Sequence, residues 1–499
     1  MKAMEEREVD VAVLGSGTAG LGAYRAAKAK GCSAMLIDGG PYGTTCARVG
    51  CMPSKLLLAA AEACHDIHRA SALGIRVDGS VVIDGKAVMG RVRRERDRFV
   101  GGVLRSIDEI PIADRLAGYG RFVAPGQLEV FRQRESQGGV IARVAARSVV
   151  IATGSSPAIP GPFRAFGPRL IVNDDVFEWE DLPRSVAVFG PGVIGLELGQ
   201  ALHRLGVRVR VFGIGNVVGP LTDPDVAAVT RKVFGEELYL DADAKITEMT
   251  AEAEGAVIGF IDRDGTPRRE HFDHVLAATG RRPNVIGIGL ENAGILLDEW
   301  GVPVFDRATM QCGGSSVFIA GDASNDRPLL HEAADEGRIA GANAATFPDI
   351  IPGARRAPLA VVFSDPQIAT IGESYGRLVA ARGEPGTEWI VGEVSFEDQG
   401  RSRVMLKNQG LMRLYAECRT GRLLGGEMVG PRMEHMGHLL AWAVQQQMTV
   451  EGMLSMPFYH PVVEEGLRTA LRDAAAKLSA VATRAAERGM WSSPAPLPR

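Results

Sequence analysis

Cysteine is scarce, six residues in 499, and four of them, Cys32, Cys64, Cys312 and Cys418, stand apart without metal-ligand spacing. That excludes a disulfide-stapled secreted scaffold and a cysteine-built metal centre, and no metal site is expected. Aromatic residues make up only 6% of the chain, and no cluster of Lys and Arg interleaves with them. The net charge is −4 at pH 7, so neither composition nor charge points to a nucleic-acid partner. No apolar run reaches transmembrane length, and Met1-Lys2-Ala3-Met4-Glu5-Glu6-Arg7-Glu8 has neither the apolar core of a signal peptide nor the Arg/Ser-rich pattern of a transit peptide. The expectation is a chain with no membrane contact in a reducing cytoplasm, where a disulfide is more readily catalytic than structural.

Glycine, by contrast, is plentiful, with 61 residues in a chain that is 46% hydrophobic. A length of 499 residues exceeds what one core organises, and three or four domains of α/β architecture are expected. Val9-Asp10-Val11-Ala12-Val13-Leu14 reads as a buried strand, Gly15-Ser16-Gly17-Thr18-Ala19-Gly20 opens an Ala-rich helix toward Gly31, and the strand Ala34-Met35-Leu36-Ile37 delivers Asp38. That order sets a pyrophosphate on a helix N-terminus and an acid on a ribose hydroxyl. The pattern recurs in a strand at 185–189, the loop Gly190-Pro191-Gly192-Val193-Ile194-Gly195-Leu196-Glu197, and a strand at 207–212. Two units imply two dinucleotides, which suits a flavin and a nicotinamide exchanging a hydride; duplicate folds serving one ligand are the plainer alternative. Gly213 stands where the second unit needs its acid, and no arginine pair follows the strand, so NADP is not excluded beside NAD. Arg208 and Arg210, inside the strand, read as solvated side chains.

Cys46 and Cys51 flank Ala47-Arg48-Val49-Gly50. Pro53 suits the first turn of a helix that the residues from Ser54 to Ala63 continue with strong helix formers. Cys51 therefore sits at the positive end of a helix with Lys55 nearby, and both favour thiolate. Alone, the spacing reads as a structural disulfide or two ordinary buried thiols. Beside a nucleotide fold and without a secretion signal, it reads as a redox dithiol.

Further motifs follow in order: Ala152-Thr153-Gly154, Ala278-Thr279-Gly280-Arg281-Arg282-Pro283-Asn284, Val317-Phe318-Ile319-Ala320-Gly321-Asp322, Pro328-Leu329-Leu330-His331, Phe363-Ser364-Asp365-Pro366-Gln367-Ile368-Ala369 and His460-Pro461-Val462-Val463-Glu464-Glu465. With the glycine loops and the cysteine segment, this ordered set resembles the flavin-dependent pyridine-nucleotide disulfide oxidoreductases, and among them the dihydrolipoamide dehydrogenases. The resemblance implies an α/β fold of two Rossmann-like dinucleotide-binding domains, for FAD and NAD(P), with a C-terminal α+β dimerisation domain. Residues 1–156 would be the first part of the FAD domain, 157–284 the NAD(P) domain, 285–355 the second part of the FAD domain, 356–475 the dimerisation domain and 476–499 a loose tail. Pro157, Pro160 and Pro162, then Pro283, then Pro348, Pro352 and Pro358 punctuate these joints.

The resemblance also implies roles. Cys46 and Cys51 form the redox disulfide, with Cys46 meeting the substrate sulfur and Cys51 facing the flavin. His460, supplied by the partner subunit of a homodimer, takes the substrate thiol's proton and is held by Glu465; an imidazole suits that task near neutral pH. Gly15, Gly17, Gly20, Asp38, Gly120, Thr153, Gly154, Asp322 and His331 surround FAD, and Lys55 lies at the flavin's reactive edge paired with Glu197. Gly190, Gly192, Gly195 and Gly280 complete the cofactor-binding set. The reaction implied is dihydrolipoamide plus NAD⁺ to lipoamide plus NADH, on free lipoamide or a lipoyl carrier protein of a 2-oxoacid dehydrogenase complex.

The chain departs from the family at Thr44-Thr45, where a glycine pair is usual, at Arg48, usually asparagine, and at Phe458, often histidine. A guanidinium between the two sulfurs would favour thiolate and shift the disulfide potential, the alternative being an arginine that points to solvent. A glutathione reductase would carry lysine at Ser54 and arginines for NADPH, and a mercuric reductase a C-terminal cysteine pair, whereas no cysteine follows Cys418. Soluble transhydrogenases lack the dithiol. A non-catalytic assembly subunit of a 2-oxoacid dehydrogenase complex would not need both cysteines, His460, Glu465 and two nucleotide loops.

Overall fold

The buried run Val11–Leu14 makes the second half of a strand, β1 (Glu5–Leu14), the centre of a seven-stranded sheet in the computed structural model, which describes residues 5–134 and 139–487. Helix α1 (Thr18–Ala29) returns the chain to β2 (Ala34–Asp38), parallel to β1 on one side, while the strand Val140–Ile151 lies parallel to it on the other. The strand Val317–Ile319 joins beside Val140–Ile151, so chain from both flanks of the second nucleotide unit completes one sheet. Small residues let the helices close over it. A Cβ on Gly337 or Gly341, in the helix Leu330–Thr346, would stand 2.1 or 2.2 Å from backbone oxygens of α1.

Helix α2 (Cys51–Arg69) follows β2 within the first flank, and the second unit lies between the flanks. The second unit consists of β3 (Ser185–Phe189), α3 (Val193–Arg204), β4 (Arg208–Phe212), α4 (Pro224–Glu237) and β5 (Tyr239–Asp241). Its sheet is parallel in the order β5-β4-β3, extended by His274–Ala277 and Leu170–Ile171. Arg208 and Arg210 are not free in solvent: both pair with Glu270, and their guanidinium groups lie over Phe272 and Tyr239.

The C-terminal region is a five-stranded antiparallel sheet, from Leu359–Val362 to Leu423–Gly430, packed by the helices Met433–Gln445 and Glu465–Glu487. Two buried carboxylates fasten it to the second unit. Glu427 accepts from the N–H groups of Thr222, Asp223 and Tyr375 and from the Thr222 hydroxyl, and Asp223 accepts from Arg413 and the Tyr415 hydroxyl. Both carboxylates are matched by several donors, so these charges specify the docking without being left bare. The last helix runs straight through the expected joint at residue 475, because Val481 and Ala485, 7% and 8% exposed, continue its buried stripe. Of the expected tail, residues 488–499 lie outside the described residues. No helix among the described residues is long and apolar enough to cross a membrane.

Candidate active site

Cys46 lies on a single helical turn, Thr45–Val49, and Cys51 is the first residue of α2, with Gly50 the break between them. Thr44 makes the turn possible. At a left-handed φ of 60° its hydroxyl accepts from the Ala47 N–H at 3.2 Å, a work the family's glycine could not do. Asn173 holds the other end, donating its amide to the Val49 carbonyl at 2.7 Å. Both sulfurs are free thiols here, Cys46 half-buried and Cys51 exposed. They titrate unequally. The hydrogen bond from Cys46, with Lys55 adding positive charge, lowers Cys51 to about 7 against the opposing effect of burial, while Cys46 is pushed far up by its bond to Cys51 and by burial. The Arg48 stem packs against Gly43, and its charge is felt by Asp174.

Lys55 and Ser54 reach from α2 to one carboxylate on α3. Lys55 Nζ donates to Glu197 at 2.7 and 2.9 Å, the Ser54 hydroxyl at 3.3 Å, and the Phe363 N–H, from the C-terminal region, at 2.9 Å. Glu197 is 4% exposed, and Lys55 also lies 4.5 Å from the centre of the Phe363 ring. Further along the same face of α3, Gln200 exchanges two hydrogen bonds with the Asp365 backbone and Arg204 reaches Glu237 and Asp365. The sequence reading missed Asn173, Gln200 and Arg204. Only the i, i+3, i+7 spacing of Glu197, Gln200 and Arg204 hinted at a polar docking stripe on an otherwise apolar helix.

The two glycine loops are built alike. A Cβ on Gly15 would stand 2.3 Å from the Ala152 oxygen and one on Gly20 1.9 Å from the Gly15 oxygen; on Gly190 and Gly195 the distances are 2.3 Å to Ala278 and 1.9 Å to Gly190. Gly17, Gly154, Gly192 and Gly280 face open space. Asp38 accepts from the Ser16 N–H and hydroxyl and from the Gly40 N–H. Gly120 packs on Leu14 and Ile37 at the same end of the sheet. Asp322 accepts from Ser155, which Arg281 also holds, and His331 is exposed at the start of the helix Leu330–Thr346. The first cradle fits a dinucleotide: two glycines open it where a side chain would fill it, and the buried Thr153 hydroxyl has no protein partner.

Gly213 is more than a missing acid. A Cβ there would stand 2.7 Å from the Pro191 ring and 2.8 Å from the Ala242 oxygen, so the packing excludes a side chain.

His460 Nδ1 lies 3.0 Å from Glu465, and the imidazole is 80% exposed. Glu465 also accepts from Arg468 and the Val462 N–H; burial pushes its carboxyl up, but the His460 and Val462 hydrogen bonds and the nearby charges hold it below the usual range. Phe458 lies 5.8 Å from the Arg468 guanidinium. Among the described residues, no hydrogen bond or ion pair joins His460 to Cys46, Cys51 or Lys55.

The pyridine nucleotide-disulphide oxidoreductase family model matches residues 9–337, and its dimerisation domain matches 359–471. Dihydrolipoyl dehydrogenase 3 of Pseudomonas putida is 29% identical over 93% of this chain and 97% of that protein, and dihydrolipoyl dehydrogenase 2 of Haloarcula marismortui is 29% identical over 95% and 98%. Among solved structures, LpdA from Mycobacterium tuberculosis matches with a TM-score of 0.78 at 25% identity, covering 93% of this chain and 99% of that one. The HOCl-induced flavoprotein disulfide reductase RclA from Escherichia coli, at 20% identity and a TM-score of 0.75 over 94% and 99%, shares the fold. With paired nucleotide loops, a polarised dithiol and both family domains in place, the chain belongs to the pyridine nucleotide-disulphide oxidoreductases, enzymes that use FAD and NAD.

Proposed function

We propose that the protein oxidises dihydrolipoamide to lipoamide with NAD⁺ as acceptor. The observation that carries the reading is the pairing of an unequal dithiol with an exposed imidazole held by a carboxylate, a set suited to a thiol substrate rather than to an electron acceptor alone. The names of the curated relatives support it. The domain division drawn from the sequence remains our reading, with the last domain extended to the end of the helix Glu465–Glu487.

In the oxidised protein Cys46 and Cys51 share a disulfide. His460 of the partner subunit accepts the proton of one substrate thiol at Nε2, since Nδ1 faces Glu465, which stabilises the imidazolium that forms. The substrate thiolate attacks Cys46 Sγ; the Cys46–Cys51 bond breaks and Cys51 leaves as a thiolate, held by Lys55 and the helix N-terminus. The second substrate thiol, deprotonated, attacks its neighbouring sulfur, closes the lipoamide ring and releases Cys46, which takes up a proton. Bound FAD supplies the two-electron relay between the dithiol and NAD⁺. Gly15, Gly17, Gly20, Asp38, Thr153, Gly154 and Asp322 would hold it, with Gly120 and His331 at the rim, and Gly190, Gly192, Gly195 and Gly280 would hold the nicotinamide dinucleotide. A cytoplasmic setting remains our reading, one in which a disulfide between Cys46 and Cys51 is catalytic rather than structural.

The test is a steady-state assay of the flavin-loaded protein with dihydrolipoamide and NAD⁺, beside NADP⁺ and beside oxidised glutathione with NADPH. Rapid NADH formation supports the reading, and a yellow protein inert toward dihydrolipoamide refutes the substrate while leaving the family intact. His460→Ala is expected to slow turnover by roughly 10²–10⁴ with the flavin spectrum unchanged.

A further inference from the structure

The second nucleotide unit has lost the acid at the end of its second strand, yet a carboxylate stands there all the same. Strand β5 runs parallel to β4 with Phe212 opposite Asp241, so the residues that follow emerge beside Gly213. The two segments are then zipped together: Gly213 N–H donates to Asp241 O at 2.7 Å, Asn216 N–H to Ala242 O at 3.0 Å and Ala244 N–H to Gly213 O at 2.9 Å. Asp243 projects its side chain across this seam, and its Oδ1 accepts from the Gly215 N–H at 2.7 Å.

The donor identifies the position. In the first unit Ile37 O accepts from Gly15 N–H, and in the second Phe212 O accepts from Gly190 N–H, which aligns Asp38 with Gly213 and Gly40 with Gly215. Asp38 Oδ1 accepts from Gly40 N–H at 2.8 Å; Asp243 Oδ1 accepts from Gly215 N–H at 2.7 Å. The same backbone donor thus fixes a carboxylate in both units, although one carboxylate comes from the second strand and the other from beyond the third. Asp243 is exposed, and its Oδ2 has no hydrogen-bond or ion-pair partner among the described residues.

We infer that Asp243 reads the adenosine ribose of the nicotinamide dinucleotide, accepting from its hydroxyls with the free oxygen and setting a preference for NAD over NADP. A 2′-phosphate would meet a carboxylate there, and like charges repel. The inference rests on the proposed function only in requiring that the second unit binds a nicotinamide dinucleotide. Arg231, which reaches from α4 to donate to the Asn216 carbonyl at 2.8 Å, is the cation beside this loop that a 2′-phosphate would seek instead.

The test is calorimetric titration of the flavin-loaded protein with NAD⁺ and with NADP⁺, for the wild type, Asp243→Asn and Asp243→Ala, with flavin absorbance and melting temperature as checks on folding. The asparagine keeps an acceptor for Gly215 and removes the charge. The expected result is a wild type that prefers NAD⁺ and an Asp243→Asn variant that binds NAD⁺ roughly tenfold or more weakly while NADP⁺ binding holds or tightens, as for a lost hydrogen bond to a charged group. In turnover the same variant raises KM for NAD⁺ and leaves kcat near the wild-type value. NAD⁺ affinity within twofold of wild type, or equal weakening toward both dinucleotides in both variants, reduces Asp243 to a loop brace and overturns the inference. A wild type that prefers NADP⁺ overturns it too while sparing the proposed oxidation, whereas a wild type that binds neither dinucleotide removes the reading on which it rests.

Discussion

In the first nucleotide unit Ser16 donates its N–H and its hydroxyl to Asp38; in the second, the matching positions are Pro191 and Gly213, with neither donor nor acceptor. The two losses belong together. A proline has no N–H to satisfy, and its ring fills the space in which a side chain at 213 would start. The threonines differ in the same sense. Thr153 keeps a buried hydroxyl without a protein partner, while Thr279 closes its own on the Ala158 carbonyl at 2.7 Å. The first cradle is thus braced yet incomplete, which suits a resident cofactor, and the second is complete by itself, which suits a ligand that comes and goes.

Two substitutions break this comparison most sharply. Gly20→Val and Gly195→Val each press a side chain onto a carbonyl 1.9 Å from the Cβ position, in otherwise matching loops. Gly20→Val should yield colourless protein. Gly195→Val should stay yellow and bind NAD⁺ roughly a hundredfold more weakly, about 3 kcal/mol, by flavin absorbance and calorimetry. Equal loss of flavin in both would refute the division of labour between the units.

A smaller effect tests the bridge between them. Alkylation of Cys51 in the reduced protein by iodoacetamide should show a midpoint near pH 7, since its thiol is lowered to about 7 by the Cys46 hydrogen bond and Lys55. Lys55→Met removes a charge that lowers it and moves the midpoint up; Glu197→Gln removes one that raises it and moves the midpoint down. For Cys51 the sign for stability follows: its contribution is present above the ordinary thiol value of 9.0 and is lost as the pH falls through about 7, whereas Cys46, pushed up, acts in the opposite sense above 9.0.

The smallest effect sharpens the comparison at its source. Gly213→Asp alone should cost about 1–3 kcal/mol in urea unfolding because the new Cβ meets Pro191. Adding Pro191→Ser restores both donor and room, and the pair should couple by about 1 kcal/mol. Strict additivity would mean that the two positions do not sense each other.

Most of the site's contiguous parts were legible in the sequence. Gly15 to Asp38, Cys46 to Lys55 and His460 with Glu465 carry their geometry in local spacing, because turns, helix starts and a five-residue reach are short-range constraints. Contacts made across the fold were not. Asn173 on the Val49 carbonyl, Gln200 on Asp365 and Asp243 on Gly215 join segments whose approach only tertiary packing decides. Arg48 shows the same limit: adjacency in the chain suggests the sulfurs, whereas its stem packs against Gly43 and its charge acts on Asp174. Past residue 475 the sequence reads as an Ala-rich helical stretch running into a loose end, and only packing shows that the apolar stripe through Val481 joins the C-terminal core.

Glu197 receives Lys55 and Ser54 from the redox helix and the Phe363 N–H from the C-terminal region, all at one carboxylate almost without solvent. Parting any one of these regions from the others strands a charge in a dry place, at a cost of about 3–5 kcal/mol for a broken buried pair. Such a junction makes heat resistance a collective property. The chain should give up its structure in a single calorimetric peak rather than region by region, and a weakness introduced in the dimerisation sheet should lower the temperature at which the dithiol itself is lost.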